Sequence, residues 1–166
     1  MKSAVIDTSS AILLLKADLL EKLIARYQIL IPQTVYNELT KENQFGSNKF
    51  SSLFKKNVLH LKNEYKEKKV EFPLHGGEKD TVLLYLQGKC DFIIIDDRKG
   101  IRFCKQNSIP FINALIVPKI LYFIGDIDHK QYCTKTNLIT QIGRYSYRVL
   151  DLAQKINQKD LEIFFP

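Results

Sequence analysis

Acidic side chains in this chain follow short apolar runs of the kind that form buried strands. The clearest case is the pair Asp96 and Asp97, which ends the apolar run at residues 92–95, and Asp7 likewise ends the run at residues 4–6. Open α/β sheets place their chemistry at the carboxyl ends of strands, so a site is expected at both positions. Carboxylates gathered at one edge of a sheet are oxygen ligands for a hard divalent metal ion.

Further acids lie on predicted helices beside those strand ends. Glu38 follows Val35 by three residues on a short helix at residues 33–41, so its carboxylate is predicted to point toward the sheet. Glu78 and Asp80 follow a glycine pair just before an apolar helix at residues 81–86. Together with the strand-end acids they form a candidate metal-binding set.

Each of these acids also has a purely structural interpretation. Asp7 is typical of a helix N-cap, while Glu78 and Asp80 suit the first turn of a helix, where the dipole favours negative charge. Glu38 is equally typical of an exposed helix surface. Taken singly, none of the acids decides between a structural and a catalytic role.

Strands alternate with helices through residues 3–125, which predicts a three-layer α/β/α fold with a central, mostly parallel sheet of four or five strands. Residues 126–166 are predicted to form a helical extension that packs on this core, so that residues 1–166 make one domain. Lysines and glutamates at helical spacing predict a solvated helix at residues 62–69.

Composition limits the class of protein. The net charge of +7 permits an anionic partner such as a nucleic acid without requiring one. The three cysteines have no CxxC spacing, which favours reduced thiols and a cytoplasmic location, and the three histidines are scattered. The longest apolar stretch, residues 109–124, is interrupted by two prolines and a lysine, so no membrane span is expected. Asp7 interrupts the first apolar run, so no secretory signal is expected either.

These residues, in this order and spacing, resemble the PIN-domain family over residues 3–125. The motifs that carry the resemblance are Val5-Ile6-Asp7-Thr8-Ser9, Ile31-Pro32, Val35 with Glu38-Leu39, Gly77-Glu78 and Ile95-Asp96-Asp97-Arg98. The most similar subgroup has the same Gly-Glu opening of a helix and the same Asp-Asp-Arg strand end.

The resemblance implies a Mg²⁺- or Mn²⁺-dependent ribonuclease, often the toxin of a VapC-type toxin–antitoxin pair. Its implied partners are RNA, an antitoxin protein and a second copy of the chain in a homodimer. The implied catalytic acids are Asp7, Glu38, Glu78 and Asp97, and the implied metal ligands are Asp7, Glu38, Glu78, Asp80, Asp96 and Asp97. Whether Glu78 or Asp80, and whether Asp96 or Asp97, contacts the metal is left open.

Residues beside the acids receive supporting roles by the same resemblance. Thr8 or Ser9 would orient a ligand or a water, and the substrate phosphates would be held by Lys79, Arg98 and Lys99. The sequence departs from the subgroup at Asn113-Ala114, where a Gly-Thr pair often follows the fourth strand.

Other classes of protein are weighed on the same residues. A non-catalytic PIN-like module that binds RNA or a protein partner would keep the sheet and the basic surface while the acids merely cap helices. A P-loop enzyme lacks its glycine-lysine loop here. A phosphoryl-transfer enzyme with a nucleophilic aspartate would need a second Asp where Ser9 stands. The nuclease is therefore the leading hypothesis and the inert module is its rival.

Overall fold

Five short strands form one parallel sheet in the computed structural model, which describes residues 1–62 and 74–166. The strands are β1 (Ser3–Ile6), β2 (Gln28–Pro32), β3 (Leu59–Lys62), β4 (Phe92–Ile94) and β5 (Phe111–Ile112). Their order across the sheet is β3-β2-β1-β4-β5, and every neighbouring pair is parallel. The first strand of the chain therefore lies at the centre of the sheet.

Helices connect the strands and cover the sheet. They are α1 (Thr8–Lys16), α2 (Leu20–Arg26), α3 (Gln33–Leu39), α4 (Ser47–Lys55), α5 (Gly76–Leu86), α6 (Arg98–Gln106), α7 (Val117–Phe123), α8 (His129–Ile142), α9 (Tyr147–Lys155) and α10 (Gln158–Leu161). One 3₁₀ turn, Ala114–Ile116, leads into α7, and another, Glu162–Phe164, follows α10. The predicted three-layer α/β/α fold is confirmed.

Two hydrophobic cores lie on opposite faces of the sheet because side chains alternate along a strand. Ala4 and Ile6 of β1 belong to the larger core, which the N-terminal and C-terminal helices cover. Val5 belongs to the smaller core, which contains residues of α5 and α6. Strands buried on both faces are typical of parallel sheets, and they explain the continuous apolar runs in the sequence.

Two helix boundaries differ from the sequence-based prediction. The apolar periodicity of residues 12–27 predicts one helix, but the chain breaks after α1 at Asp18, whose φ of 55° is left-handed. The helix predicted at residues 81–86 begins earlier, at Gly76, so Glu78 lies in its first turn. Negative charge is stabilised there by the unpaired N–H groups of the helix start.

The C-terminal helices are attached to the sheet by specific contacts. Phe164 packs edge-on against Phe92 of β4, and the buried Tyr27 hydroxyl donates a 2.7 Å hydrogen bond to the Phe164 carbonyl. Lys119 of α7 donates to three carbonyl oxygens near the end of α9. The last helices thus complete the larger core.

Two further sequence-based predictions concern a helix at residues 62–69 and the absence of a membrane span. The helix predicted at residues 62–69 falls largely outside the described residues, and Lys62 itself ends β3. Across residues 1–62 and 74–166, none of the helices has the length and apolar character that a bilayer crossing needs.

Replacing Tyr27 by Phe tests the attachment of the C-terminal segment. The substitution keeps the ring but leaves the buried Phe164 carbonyl without its donor, so we expect the free energy of unfolding to fall by about 1–2 kcal/mol. Urea denaturation measures this loss. The control is Tyr147→Phe, because Tyr147 is 84% exposed and its substitution should change stability very little. Equal stability of the two variants would contradict the assignment.

Candidate active site

The carboxyl edge of the sheet between β1 and β4 is where the chain changes direction across the sheet. The connections from β1 lead to β2 and β3 on one side, while β4 and β5 lie on the other. Ligand sites of open α/β sheets lie at such a switch point. Asp7 follows β1 directly, and its backbone N–H donates to the Ile94 carbonyl at the end of β4.

Asp7 is an acid enclosed by hydrogen-bond donors. Its Oδ1 accepts from the Ser10 backbone N–H (2.8 Å), which makes it the N-cap of α1, and its Oδ2 accepts from the Ser9 hydroxyl (2.9 Å). The Asp96 backbone N–H also faces Oδ2, at 3.3 Å. Only 2% of Asp7 is exposed, and this burial, with the Asp96 charge adding to it, raises its pKa to about 6 despite the hydrogen bonds.

Asp96 faces Asp7 and is held by three donors. Its Oδ2 accepts from the Ser10 hydroxyl (2.7 Å) and from the Ala114 backbone N–H (2.9 Å), and its Oδ1 accepts from the Tyr145 hydroxyl. Burial raises the pKa of Asp96, and the three hydrogen bonds oppose that rise. We call Asp7 and Asp96 the inner pair.

Ser10 and Tyr145 contact the inner pair but are not among the predicted site residues. Ser10 is fully buried and joins the pair, since its N–H donates to Asp7 and its hydroxyl to Asp96. The run Thr8-Ser9-Ser10 indicates a helix cap but gives no sign of the second contact. Tyr145 lies 49 residues from Asp96 along the chain, and no local pattern connects them.

Glu38 reaches the same edge from α3. The Thr8 hydroxyl donates to Glu38 Oε2, so the residue after Asp7 holds this second acid. A Cβ atom at Gly77 would lie 3.5 Å from Glu38 Oε2 and 3.0 Å from the Val35 side chain. The glycine therefore lets the start of α5 approach α3 closely.

Glu78 and Asp97 lie close enough for their negative charges to repel each other. Asp97 is the N-cap of α6, because its Oδ1 accepts from the N–H groups of Lys99 (2.8 Å) and Gly100 (2.9 Å). Partial burial raises the pKa of Glu78, and the negative charges of Asp97 and Glu38 raise it further, while Lys99 opposes the rise. We call Glu38, Glu78 and Asp97 the outer acids.

The structure therefore brings five of the six predicted metal ligands into two adjoining groups. The adjacent residues Asp96 and Asp97 belong to different groups. Asp96 lies beside Asp7, and Asp97 lies near Glu78. Asp80 follows Glu78 by two residues, about 200° around the helix axis, so the two carboxylates leave α5 on different sides.

The predicted supporting residues lie beside these groups. Thr8 contacts Glu38 and Ser9 contacts Asp7, each by a side-chain hydroxyl. Arg98 and Lys99 are exposed in the first turn of α6, and Lys79 follows Glu78 on α5.

The donor chemistry of this edge fits a hard divalent cation. The available ligands are carboxylate oxygens, which Mg²⁺ and Mn²⁺ prefer. Burial is the main cause of the raised pKa of Glu78, and a cation would relieve the repulsion by Asp97 and Glu38 that adds to it. In residues 1–62 and 74–166, no three His, Cys, Asp or Glu side chains stand in an arrangement that could hold a metal ion. The fit therefore rests on ligand type and on charge repulsion.

Replacing Asp7 by Asn tests the cost of burying its charge. Below about pH 4 the carboxyl is protonated in both folded and unfolded chains, whereas above its folded pKa of about 6 the folded state holds a disfavoured charge. Stability contributed by Asp7 thus falls as the pH rises through this window. We therefore compare the unfolding free energies of Asp7→Asn and the native chain at each pH. From pH 4 to pH 7, we expect this difference to shift by about 1–3 kcal/mol in favour of the variant.

Urea denaturation in metal-free buffer at several pH values measures this difference. Asp128→Asn is the control, because Asp128 is an exposed N-cap of α8 that Asn replaces well. A difference for Asp7→Asn that stays constant or shrinks toward pH 7 would show that the Asp7 charge is not disfavoured by folding.

Comparison with known proteins identifies the fold family. The family model DUF3368, described as a PIN domain, matches residues 3–130, which is more than half of the chain. No curated protein and no solved structure gives a significant match. The matched region contains the inner pair and the outer acids, and it ends before Tyr145. The chain belongs to the PIN-domain family, whose fold is nuclease-like.

Proposed function

We propose that this protein is a divalent-metal-dependent ribonuclease that hydrolyses phosphodiester bonds of RNA. The observation that carries the proposal is the placement of the inner pair and the outer acids in adjoining positions, linked by the Thr8–Glu38 hydrogen bond, at the switch point of a PIN-family sheet. A fold needs no such concentration of negative charge, because buried or neighbouring carboxylates cost stability.

The metal would be held by carboxylates drawn from Asp7, Glu38, Glu78 and Asp97, with Asp96 beside them. These side chains would have to close around the ion, because no three of them stand in a metal-binding arrangement in residues 1–62 and 74–166. When bound, Mg²⁺ or Mn²⁺ supplies activation of a water for attack on phosphorus and stabilisation of the leaving oxygen. The chain's own contribution is to hold the carboxylates in place: Thr8 fixes Glu38, Ser9 and Ser10 fix Asp7, and the start of α6 fixes Asp97.

A basic stripe leads away from the outer acids along α6. Arg98, Arg102 and Lys105 are exposed and follow one another at spacings of four and three residues, so they share a face of the helix. Lys99 adds a fourth positive charge, and α6 carries no acidic residue. We define Arg98, Arg102 and Lys105 as the basic stripe.

The first turn of α6 is an unfavourable place for positive charge, because the helix dipole is positive there. Arg98 and Lys99 occupy it nevertheless. A polyanion that passes the outer acids would compensate this cost, so the basic stripe supports RNA as the substrate and gives its backbone a path along α6.

The non-catalytic RNA-binding module has one observation in its favour, since Asp7 and Asp97 both cap helices. Capping explains their N–H contacts. It does not explain why Glu38 accepts a hydrogen bond from Thr8, the residue after Asp7, or why the charges of Asp97 and Glu38 both act on Glu78.

A role as the toxin of a toxin–antitoxin pair is the narrower form of the proposal, with an antitoxin protein and a second copy of the chain as partners. It rests on the sequence resemblance alone. Cleavage of RNA is its precondition, so a chain without that activity would exclude it.

Cleavage of single-stranded and structured RNAs tests the proposal. With Mg²⁺ or Mn²⁺ we expect the native chain to cut RNA, and we expect Asp7→Asn and Asp97→Asn each to lose at least a hundredfold in rate, because each removes a ligand charge. Excess EDTA should abolish cutting. Gel analysis of end-labelled RNA gives the rates, and Asp128→Asn, remote from the site, should cut like the native chain.

Two outcomes would contradict the enzyme. Equal cutting by all variants would identify a contaminating nuclease. Metal-independent RNA binding without cutting would favour the non-catalytic module. Comparing Glu78→Gln with Asp80→Asn in the same assay decides which acid of α5 acts, and we expect the loss in Glu78→Gln.

Neutralising part of the basic stripe tests the RNA path. In the cleavage-deficient Asp7→Asn background, Arg102→Gln with Lys105→Gln should weaken RNA binding about tenfold and lower the slope of log affinity against log salt by about 1.4, at about 0.7 per lost phosphate contact. Fluorescence anisotropy at several salt concentrations gives both values. Lys55→Gln with Lys56→Gln removes the same charge from exposed positions at the end of α4. Equal losses in the two double variants would show that only net charge matters.

A further inference from the structure

Tyr145 brings a part of the chain beyond the family match into the acidic site. The PIN-domain match ends at residue 130, whereas Tyr145 lies between α8 and α9. Residues 126–166 are predicted to be helical, but α8 ends at Ile142, and the turn that follows directs the Tyr145 ring toward Asp96.

The turn that presents Tyr145 follows the end of α8. Arg144 has a left-handed φ of 51°, the conformation that commonly ends a helix and turns the chain away from its axis. Gly143, just before it, leaves room for the tyrosine ring, because a Cβ atom there would lie 2.3 Å from Tyr145 Cε2. The turn therefore accommodates the Tyr145 ring beside the end of α8.

The hydroxyl group of Tyr145 both donates and accepts a hydrogen bond. Its hydroxyl donates to Asp96 Oδ1, and the Leu115 backbone N–H approaches the same phenol oxygen. The neighbouring N–H, that of Ala114, donates to Asp96 Oδ2. The 3₁₀ turn after β5 therefore fixes both the carboxylate and the tyrosine that contacts it.

Asp96 depends on Tyr145 for the orientation of one oxygen. Ser10 and Ala114 both donate to Oδ2, while Tyr145 donates to Oδ1. Without the phenol hydroxyl, Oδ1 would lose this donor next to the negatively charged Asp7, and only the two donors to Oδ2 would remain to orient the carboxylate. Groups that orient a metal-binding carboxylate in this way typically change metal affinity 10- to 100-fold.

We infer that Tyr145 is a positioning residue that holds the Asp96 carboxylate for cation binding at the inner pair, so that the C-terminal extension completes the acidic site. This inference rests on the metal-binding part of the proposed function, because it assigns Tyr145 to the same acidic edge, and it does not require RNA cleavage. It adds a residue that neither the family match nor the sequence motifs contain.

The test measures Mn²⁺ affinity of the full chain by the electron paramagnetic resonance signal of free Mn²⁺. Tyr145→Phe removes the hydroxyl and keeps the ring, and we expect it to lower the affinity about tenfold. Tyr147→Phe, two residues away and exposed, is the matched control and should bind Mn²⁺ like the native chain. RNA affinity, measured by anisotropy, should stay within twofold in both variants, whereas a general loss of structure would lower it.

Gly143→Ala is the second variant, because it keeps the hydroxyl while its Cβ would lie 2.3 Å from Tyr145 Cε2 and 2.8 Å from the Ile139 carbonyl oxygen, so the ring has to move. It should also lower Mn²⁺ affinity, and it decides the question if Tyr145→Phe fails to fold. Native-like Mn²⁺ affinity in Tyr145→Phe, or a native chain that binds no Mn²⁺, would overturn the inference. A native chain that cuts no RNA but loses Mn²⁺ affinity on Tyr145→Phe would refute the ribonuclease and leave the inference standing.

Discussion

The burial of the Asp7 carboxylate beside Asp96 is the constraint on which this edge of the protein depends. Asp7 follows the central strand and is covered from both layers, so water cannot solvate its charge. The chain has to supply the donors itself, and it does so with Ser9, Ser10 and the Asp96 backbone. Because these donors come from the start of α1 and the end of β4, the charge ties two elements to one place.

Because Asp96 and Asp97 are adjacent, their carboxylates point toward opposite layers of the fold. Neighbouring residues of a strand point to opposite faces, and this alternation persists where β4 ends. Asp96 meets α1 and the C-terminal segment, while Asp97 meets the starts of α5 and α6. A single strand end thus supplies a carboxylate to the inner pair and another to the outer acids.

Much of the fold follows from the sequence because its signals are local. Continuous apolar runs such as residues 92–95 identify buried parallel strands, and acids at their ends fall at one sheet edge by topology. The break at Asp18 escapes the same reasoning, since the apolar spacing continues through it and only the left-handed backbone of that residue divides the helix.

The site is less predictable from sequence than the sheet. The strand-end acids are visible, but the separation of Asp96 from Asp97 depends on what packs against each face. Tyr145 is beyond sequence reasoning of this kind, because its contact with Asp96 is created by a turn far along the chain. The backbone N–H of Ala114 is also invisible to residue motifs: a contact through the main chain does not need the hydroxyl that the Asn113-Ala114 pair lacks.

An acidic site that acts on a polyanion must overcome repulsion twice, once among its own carboxylates and once between them and the phosphates. A divalent cation reduces both terms, and fixed positive charges near the site reduce the second. In this chain the positive charges begin beside the acids: Lys99 opposes the rise in the pKa of Glu78, and Arg98 opens the basic stripe. The net charge of +7 matters less than this placement, because screening limits the reach of exposed charges to about 8 Å at physiological salt. Charges on α6 therefore act on a phosphate that is already entering the site, which is where the repulsion is largest.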